Sequence, residues 1–112
     1  MTSAPLSQPA LLVLTVLASG PQHGYGLIGE VEQVSGGRLR LGTGSLYAVL
    51  DRLRQAGLIE LDREEIVRSR LRRYYRLTGL GAQELAAESE RLRQTAEAAD
   101  RGLRRLRLGG TS

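Results

Sequence analysis

The sequence has 112 residues with 16 basic and 12 acidic side chains, and every basic residue is an arginine. Because it has no cysteine, a disulfide framework, a thiolate nucleophile and a cysteine zinc site are excluded, and the apolar run at residues 10–18 is too short to cross a bilayer. We therefore expect a small, soluble, cytoplasmic protein with an aliphatic core and with no metal or cofactor.

Positive charge is concentrated in the middle of the chain. Residues 38–76 carry ten arginines and five acidic residues, whereas residues 1–37 carry only Glu30 and Glu32 as charged groups. A basic segment of this kind is typical of nucleic-acid binding, although a solvated charged face would have the same composition.

Two helices are predicted in the first third of the chain. The first begins near Ser7 with Pro9 in its first turn, and its run LLVLTVLA is apolar around nearly the whole circumference, so it should be buried on most sides. It ends at Ser19-Gly20-Pro21, and a turn follows. The second helix, at about residues 24–35, has an apolar stripe of Leu27, Ile28, Val31 and Val34.

A third helix carries both a core stripe and an outward face, and residues 39–41 before it are interpreted as a connector. Thr43 and Ser45 lie at or near its start, where a hydroxyl can cap a free amide or accompany a phosphate drawn by the helix dipole. The i, i+3, i+4, i+7 spacing puts Leu46, Val49, Leu50 and Leu53 in the core and leaves Ser45, Ala48, Arg52 and Gln55 outward.

A β-hairpin is predicted after Gly57, with residues 58–65 pairing with residues 71–77 across a loop near residues 66–70. Alternation along the second strand assigns Tyr75 to the core and Tyr74 to the opposite face. Arg68, Arg70 and Arg72 cluster at or beside the hairpin tip. Three helices followed by a basic hairpin form a winged helix-turn-helix, so the predicted class is mainly α with a small β component (α+β).

The last segment, from Thr78 to about Leu108, is predicted to be one long helix with an unbroken a/d seam. The seam residues are Ala82, Leu85, Ser89, Leu92, Ala96, Ala99, Leu103 and Leu106. A helix of ~30 residues is ~45 Å long. It should therefore overhang a preceding region whose radius of gyration is only ~11 Å. We interpret the seam as a homodimerisation surface; the alternative is an amphipathic helix packed on its own domain.

Three motifs resemble the PadR family of bacterial transcriptional regulators: LLVLTVLASGPQHGYGL, GSLYAVLDRLRQAGLI and RRYYRLTGLG. The matches are His23-Gly24-Tyr25 to H-G-Y, residues 44–47 to G-[ST]-L-Y, and residues 73–78 to R-Y-Y-R-L-T. The chain departs from the family pattern at Gly26, at Ala48, at the wing tip, which lacks the usual glycine, and at Gly79-Leu80-Gly81, which replaces an acidic helix start. That last departure implies a helix beginning one turn later.

The resemblance implies a winged helix-turn-helix DNA-binding domain at residues 1–77, and a dimerisation helix with a short tail at residues 78–112. It also implies a homodimeric repressor that binds a pseudo-palindromic operator in double-stranded DNA, with half-sites ~34 Å apart. A small-molecule effector would bind between the long helices and the first helix. The candidate DNA-binding residues are Tyr25, Thr43, Ser45, Tyr47, Ala48, Arg52, Arg68, Arg70 and Arg72.

Several polar residues also fit a purely structural role. Tyr25 and Tyr47 could equally be half-buried packing residues, and His23 is expected to make a local hydrogen bond rather than act as a pH switch. Glu64-Glu65 has no nucleophile or second histidine beside it in sequence, so we do not expect an enzyme. The alternative function is a protein-interaction module whose winged domain does not read DNA.

Overall fold

A computed structural model describes residues 5–109, so the outermost residues of both expected domains lie outside it. The elements are α1 (Gln8–Leu17), β1 (Gln22–His23), α2 (Gly24–Val34), α3 (Thr43–Gln55), β2 (Ile59–Val67), β3 (Arg70–Leu77) and α4 (Gly79–Leu108). The three strands form an antiparallel sheet in the order β1-β3-β2. The predicted class, a mainly helical winged helix-turn-helix with a long last helix, is confirmed. Within the described residues no helix is long and apolar enough to cross a membrane.

Helix α1 begins where the sequence predicts. The Ser7 hydroxyl accepts a hydrogen bond from the Ala10 amide at 3.2 Å, and Pro9 lies in the first turn, where its missing N–H is not needed. Six of the ten helix residues are buried. The helix forms the centre of the core, as its apolar circumference indicated.

Strand β1 was not predicted; residues after Pro21 were expected to form only a turn. Gln22 pairs with Tyr75 and His23 pairs with Tyr74, so two residues join the sheet immediately before α2. A strand of two residues is too short to show an alternation pattern. It forms only by pairing with a strand some fifty residues later in the chain, so the local sequence does not indicate it.

Helix α2 follows the predicted stripe except at its end. Leu27 and Val31 are fully buried and Ile28 packs against the core, but Val34, the last residue of the predicted stripe, is 46% exposed. Ser35 is buried instead; its hydroxyl donates to the Glu32 carbonyl at 2.9 Å and accepts from the Leu39 amide at 3.0 Å. The buried stripe continues at spacings of four, which leaves Val34 at its edge.

Helix α3 has the predicted core face, since Leu46, Val49, Leu50 and Leu53 are all buried. The capping role proposed for Thr43 and Ser45 is wrong. Gly42 is the N-cap and no side chain caps the helix, because Thr43 is already the first helical residue. The segment at residues 39–41 is a connector, as predicted, with Leu41 buried.

The wing, β2 and β3, is longer and tighter than the predicted hairpin. Only Arg68 and Ser69 lie between the strands, with φ angles of +51° and +64°, so the predicted loop at residues 66–70 was too long. Positive φ at both central residues is the type I′ hairpin turn, whose twist suits two right-twisted strands. Tyr75 is buried as expected, and burial raises the pKa of its phenol.

Helix α4 begins at Gly79, immediately after the wing, and not one turn later as the resemblance implied. The Thr78 hydroxyl donates to the Gly57 carbonyl at 2.6 Å and accepts from the Gly81 amide at 3.0 Å, so a threonine cap replaces the acidic start. Gly81 is buried, and a Cβ there would lie 2.0 Å from the Leu58 carbonyl oxygen. The first turn of α4 is therefore tied closely to the end of α3 and the start of β2.

The rest of α4 extends away from the other elements, as its length predicted. The molecule measures 66 Å along its longest axis and 33 Å and 21 Å along the others. Of the eight seam residues, only Leu85 packs against the core, and the other seven are exposed.

Candidate nucleic-acid interface

A groove of about 330 Å³ lies between the wing and the first turn of α2. Strand β1 pairs with β3 only at Tyr74 and Tyr75, so the part of β3 nearer the tip borders this groove with an open edge. Five of the predicted DNA-binding residues meet here. The lining residues are His23, Gly24, Tyr25, Tyr47, Val67, Arg68, Arg70, Leu71, Arg72 and Arg73.

The two tyrosines of the groove are held at the junction of α2 and α3. Tyr25 is 71% exposed and Tyr47 is 44% exposed. A Cβ at Gly24 would lie 2.6 Å from the Tyr47 hydroxyl oxygen, so glycine is what allows this ring to lie over the start of α2. Both tyrosines line this polar groove. A tyrosine there can pack its apolar ring against the protein while its hydroxyl hydrogen-bonds to a ligand in the groove.

The arginines of the wing fall into two groups. Toward the base of the wing, Arg73 pairs with Glu64 at 2.9 Å and Arg76 pairs with Glu60 at 2.8 Å. Toward the tip, no ion pair joins Arg68, Arg70 or Arg72 to a carboxylate among residues 5–109. Uncompensated positive charge is thus concentrated at the tip and along the groove.

His23 makes the local hydrogen bond that the sequence predicts. Its Nδ1 accepts from the Gly26 amide at 3.4 Å and caps α2, while its ring meets the Tyr74 ring edge-on with centroids 5.3 Å apart. Partial burial lowers the pKa of His23, the nearby Arg72 lowers it further, and Glu65 opposes the shift. The ring therefore acts as a neutral cap, and its acceptor nitrogen is lost if Nδ1 is protonated.

The residues predicted on α3 do not all face the groove. Thr43 lies with Tyr25 and Tyr47 around a small adjoining pocket of about 50 Å³, while Ser45 and Ala48 are exposed but border no pocket of the groove. Arg52 lies on the other flank of the helix and borders a different cavity. Arg52 is thus separated from the arginines of the wing.

Arg54 was not among the predicted DNA-binding residues. It follows Tyr47 by seven residues and so lies on the same flank of α3, where it borders a shallow depression with Asp51 and Gln55. That spacing could have identified it. The groove positions of Leu71 and Arg73 could not have been found in this way, since they depend on how the wing packs beside α2.

A second cavity, of about 530 Å³, lies between the start of α1, one flank of α3 and the first turns of α4. It is mainly apolar, and Arg52 and Glu84 are its charged residues. The lining residues are Pro5, Leu6, Ser7, Ala10, Val49, Arg52, Leu53, Ala56, Leu58, Leu80 and Glu84. Across the described part of the chain, no cluster of three histidine or acidic side chains could hold a metal ion.

Comparison with known proteins gives a consistent result. The model of the Transcriptional regulator PadR-like family matches residues 13–87. A PadR family transcription regulator from Clostridium difficile R20291 is 22% identical with a TM-score of 0.70, over 87% of this chain and 99% of that one.

Bacillus subtilis PadR, solved in complex with operator DNA, is 25% identical with a TM-score of 0.62, over 70% of this chain and 45% of that one. An uncharacterized 37.1 kDa protein in transposon TN4556 of Streptomyces fradiae is 53% identical over 49 residues. That match covers 44% of this chain and only 14% of that protein's length. Because the family model spans well over half of the sequence, from α1 into α4, the chain belongs to the PadR-like family of transcriptional regulators.

Proposed function

We propose that the protein is a sequence-specific, homodimeric repressor that binds a pseudo-palindromic operator in double-stranded DNA. The observation that carries the proposal is the groove between the wing and α2, where Tyr25, Tyr47 and three arginines meet. None of these three arginines has a carboxylate partner in the described part of the chain. The guanidinium group of arginine and the hydroxyl group of tyrosine are common hydrogen-bond donors to DNA phosphates. Such contacts fix the register of a recognition helix on the duplex. The solved operator complex of Bacillus subtilis PadR supports this use of the fold.

In the proposed complex α3 enters the major groove, where Ser45 and Ala48 lie near base edges, while Thr43 lies near phosphate. The small exposed side chains of α3 allow a close approach to the bases. Arg68, Arg70 and Arg72 contact phosphates or the minor groove, and Arg54 contacts a phosphate on the flank of α3. Arg52, on the opposite flank of α3, contacts the DNA strand on the other side of the major groove.

The proposed domain at residues 1–77 reads DNA, and residues 78–112 form the dimer through the seam of α4, which is exposed at every position except Leu85. The seam supports antiparallel pairing. When Leu85 is set opposite Leu103 of a second copy, Ala82 meets Leu106, Ser89 meets Ala99 and Leu92 meets Ala96, so every seam residue has a partner. In two of these four layers, Ala82–Leu106 and Leu92–Ala96, a small residue packs against a large one.

Charge along α4 supports the same orientation. Residues 79–100 carry five acidic residues and two arginines, whereas residues 101–108 carry four arginines and no acidic residue. Antiparallel pairing sets the basic end of each helix beside the acidic part of the other, while parallel pairing would bring like charges together. The two Ala82 residues would be ~36 Å apart along the helices, from 24 residues at ~1.5 Å each. That distance is close to the ~34 Å between half-sites one turn apart.

Cysteine cross-linking tests the dimer, and the chain has no cysteine that would interfere. Ala82→Cys and Leu106→Cys proteins are oxidised separately and as a mixture. Antiparallel pairing yields a covalent dimer in the mixture and almost none in either protein alone. Efficient cross-linking of each protein with itself would instead indicate parallel helices, and a monomer at all concentrations in sedimentation equilibrium would refute the homodimer.

The cavity between α1, α3 and α4 is the proposed site of a small, largely apolar effector. Because Val49, Arg52 and Leu53 of α3 line it, a ligand there would contact the recognition helix directly. It would weaken DNA binding only to the extent that it binds the free protein more tightly than the DNA-bound form.

Selection of bound sequences from random duplexes tests the DNA-binding proposal. A homodimeric repressor returns an enriched palindrome with two half-sites about one turn apart, whereas a protein-interaction module returns none. Affinity for the selected duplex should fall ~10³ to 10⁵ fold between 50 and 200 mM salt if ~6 to 10 phosphates are engaged. A flat salt dependence would contradict the proposed groove.

A further inference from the structure

Two large aliphatic side chains lie exposed just behind the wing tip. Ile66 of β2 and Leu71 of β3 are directly opposite each other in the strand register, and they are 75% and 57% exposed. They share a face with Tyr75, which is buried nearer the base of the wing. Where the wing projects beyond the core, no other part of residues 5–109 covers this face at Ile66 and Leu71.

The surroundings of the pair indicate what it meets. Leu71 lines the groove with Tyr25 and Tyr47. Ile66 does not line the groove, but it lies directly opposite Leu71 on the same face of the wing, next to the surface proposed to face DNA. A cross-strand aliphatic pair also stabilises a hairpin, but that role does not require the large exposed area at Ile66. Arg68 lies in the turn, one cross-strand pair (Val67 and Arg70) beyond Ile66 and Leu71.

The chemistry of the two DNA grooves separates the possible targets. Isoleucine and leucine cannot hydrogen-bond to a base edge, and in the major groove they could contact only the thymine methyl group. The walls of the minor groove are the C–H surfaces of deoxyribose, and aliphatic residues are used there by other DNA-binding proteins. A two-stranded ribbon is wider than a minor groove ~6 Å wide, so the side chains at the end of the wing, and not the ribbon itself, would enter that groove. The wing ends in a turn of only Arg68 and Ser69, which keeps this end narrow.

The minor groove also offers a basis for discrimination. A·T pairs present only acceptors there, which the Arg68 guanidinium can satisfy, and narrow A·T-rich grooves attract arginine. A G·C pair adds the guanine amino group, which projects from the floor of the groove. Against Ile66 or Leu71 that donor would lose its water without gaining an acceptor.

We propose that Ile66 and Leu71 pack into the minor groove flanking each half-site and, with Arg68, make the wing select A·T over G·C pairs there. The inference rests on the proposed function and adds a second reading element to it. The wing then contributes sequence preference outside the bases reached by α3.

The test uses the palindrome selected by the wild-type protein, prepared with A·T, G·C or inosine·C pairs at the flanking positions. An inosine·C pair has the minor groove of A·T, because it lacks the guanine amino group, but keeps a major groove like that of G·C. Wild-type protein should bind the A·T and inosine·C duplexes alike, and each roughly fivefold or more tightly than the G·C duplex. If the wild-type protein binds the inosine·C duplex no more tightly than the G·C duplex, the proposal is overturned by the wild-type measurements alone.

Ile66→Thr combined with Leu71→Thr removes the aliphatic surface and keeps strand-forming residues. This variant, which keeps Arg68, should bind the A·T and inosine·C duplexes with a clearly smaller preference over G·C than the wild-type protein shows. The matched control Ile66→Val with Leu71→Ile should keep the full wild-type preference. An unchanged preference in the threonine variant would mean that the pair serves only the hairpin. If the wild-type protein selects no palindrome at all, the proposed function itself has failed, which is a separate outcome.

Discussion

Gly81→Ala is expected to destabilise the protein, although glycine-to-alanine changes inside helices usually stabilise. The new Cβ would lie 2.0 Å from the Leu58 carbonyl oxygen and 2.9 Å from a methyl carbon of Leu77. A carbon and a carbonyl oxygen approach to about 3.3 Å, so the first turn of α4 must move by roughly 1.3 Å. The nearest atom belongs to the backbone, so a side-chain rotation cannot relieve the clash.

Two effects of opposite sign decide the magnitude. Alanine is preferred to glycine in a helix by ~1 kcal/mol. Overpacking a buried site costs ~1 to 3 kcal/mol, and weakening the hydrogen bond from the Gly81 amide to Thr78 adds about 1 kcal/mol. The clash therefore dominates, and we expect a net loss of about 1 to 3 kcal/mol, which lowers the Tm by roughly 5 to 15 °C.

The assay is thermal unfolding followed by circular dichroism at one fixed protein concentration, because a dimer's Tm depends on concentration. Gly29→Ala is the matched control. Gly29 is an exposed glycine inside α2, where an added Cβ meets nothing within 4 Å. Its replacement should raise stability by about 0.5 to 1 kcal/mol. If Gly81→Ala also raises the Tm, the close approach of α4 to Leu58 is not a real constraint.

Three further predictions concern the core, the groove and the cap. Leu50→Ala should cost about 2 to 5 kcal/mol in urea unfolding, since Leu50 is fully buried, and a near-neutral result would contradict the core face of α3. Arg70→Gln with Arg72→Gln should weaken binding to all duplexes alike and make the slope of log K against log salt shallower by about 2, with dimerisation unchanged in sedimentation. Arg76→Gln, at an arginine already paired with Glu60, should change the slope much less. The pKa of His23 is lowered in the folded state, so below its ordinary pKa of 6.5 the unfolded chain binds more protons than the folded one. The free energy of unfolding should therefore decline as the pH falls from 7 through the lowered pKa. His23→Asn, which keeps a capping oxygen that does not titrate, should lack this part of the decline; the same decline in the variant would assign it to other groups.

The helices could be predicted because their signals are local. The Ser7 cap, the proline in the first turn of α1 and the leucine spacing of α3 depend only on residues a few positions apart. The long α4 and its overhang followed from the seam and from simple length. The seam residues as a dimer interface remain a prediction.

The errors occur where structure depends on distant partners or on an unusual turn. Strand β1 exists only because β3 lies beside it, and the two-residue turn has neither the glycine nor the asparagine that marks a type I′ hairpin. In the groove, the sequence identified the cluster of arginines but not which of them are neutralised. Arg73 is neutralised because Glu64 lies within reach across the folded wing, whereas Arg70 has no such carboxylate among the described residues.

The turn at Arg68 and Ser69 has a consequence for how this protein can change. Left-handed backbone at a residue with a side chain costs about 1 kcal/mol or more, and two such residues occur in succession here. Asparagine and glycine would relieve that strain, so these two positions are where a stabilising substitution is most readily found. Replacing Arg68 in this way would also remove a positive charge from the tip. Variants selected for heat resistance alone should therefore tend to lose charge at the wing, while variants selected for DNA binding should retain the strained turn.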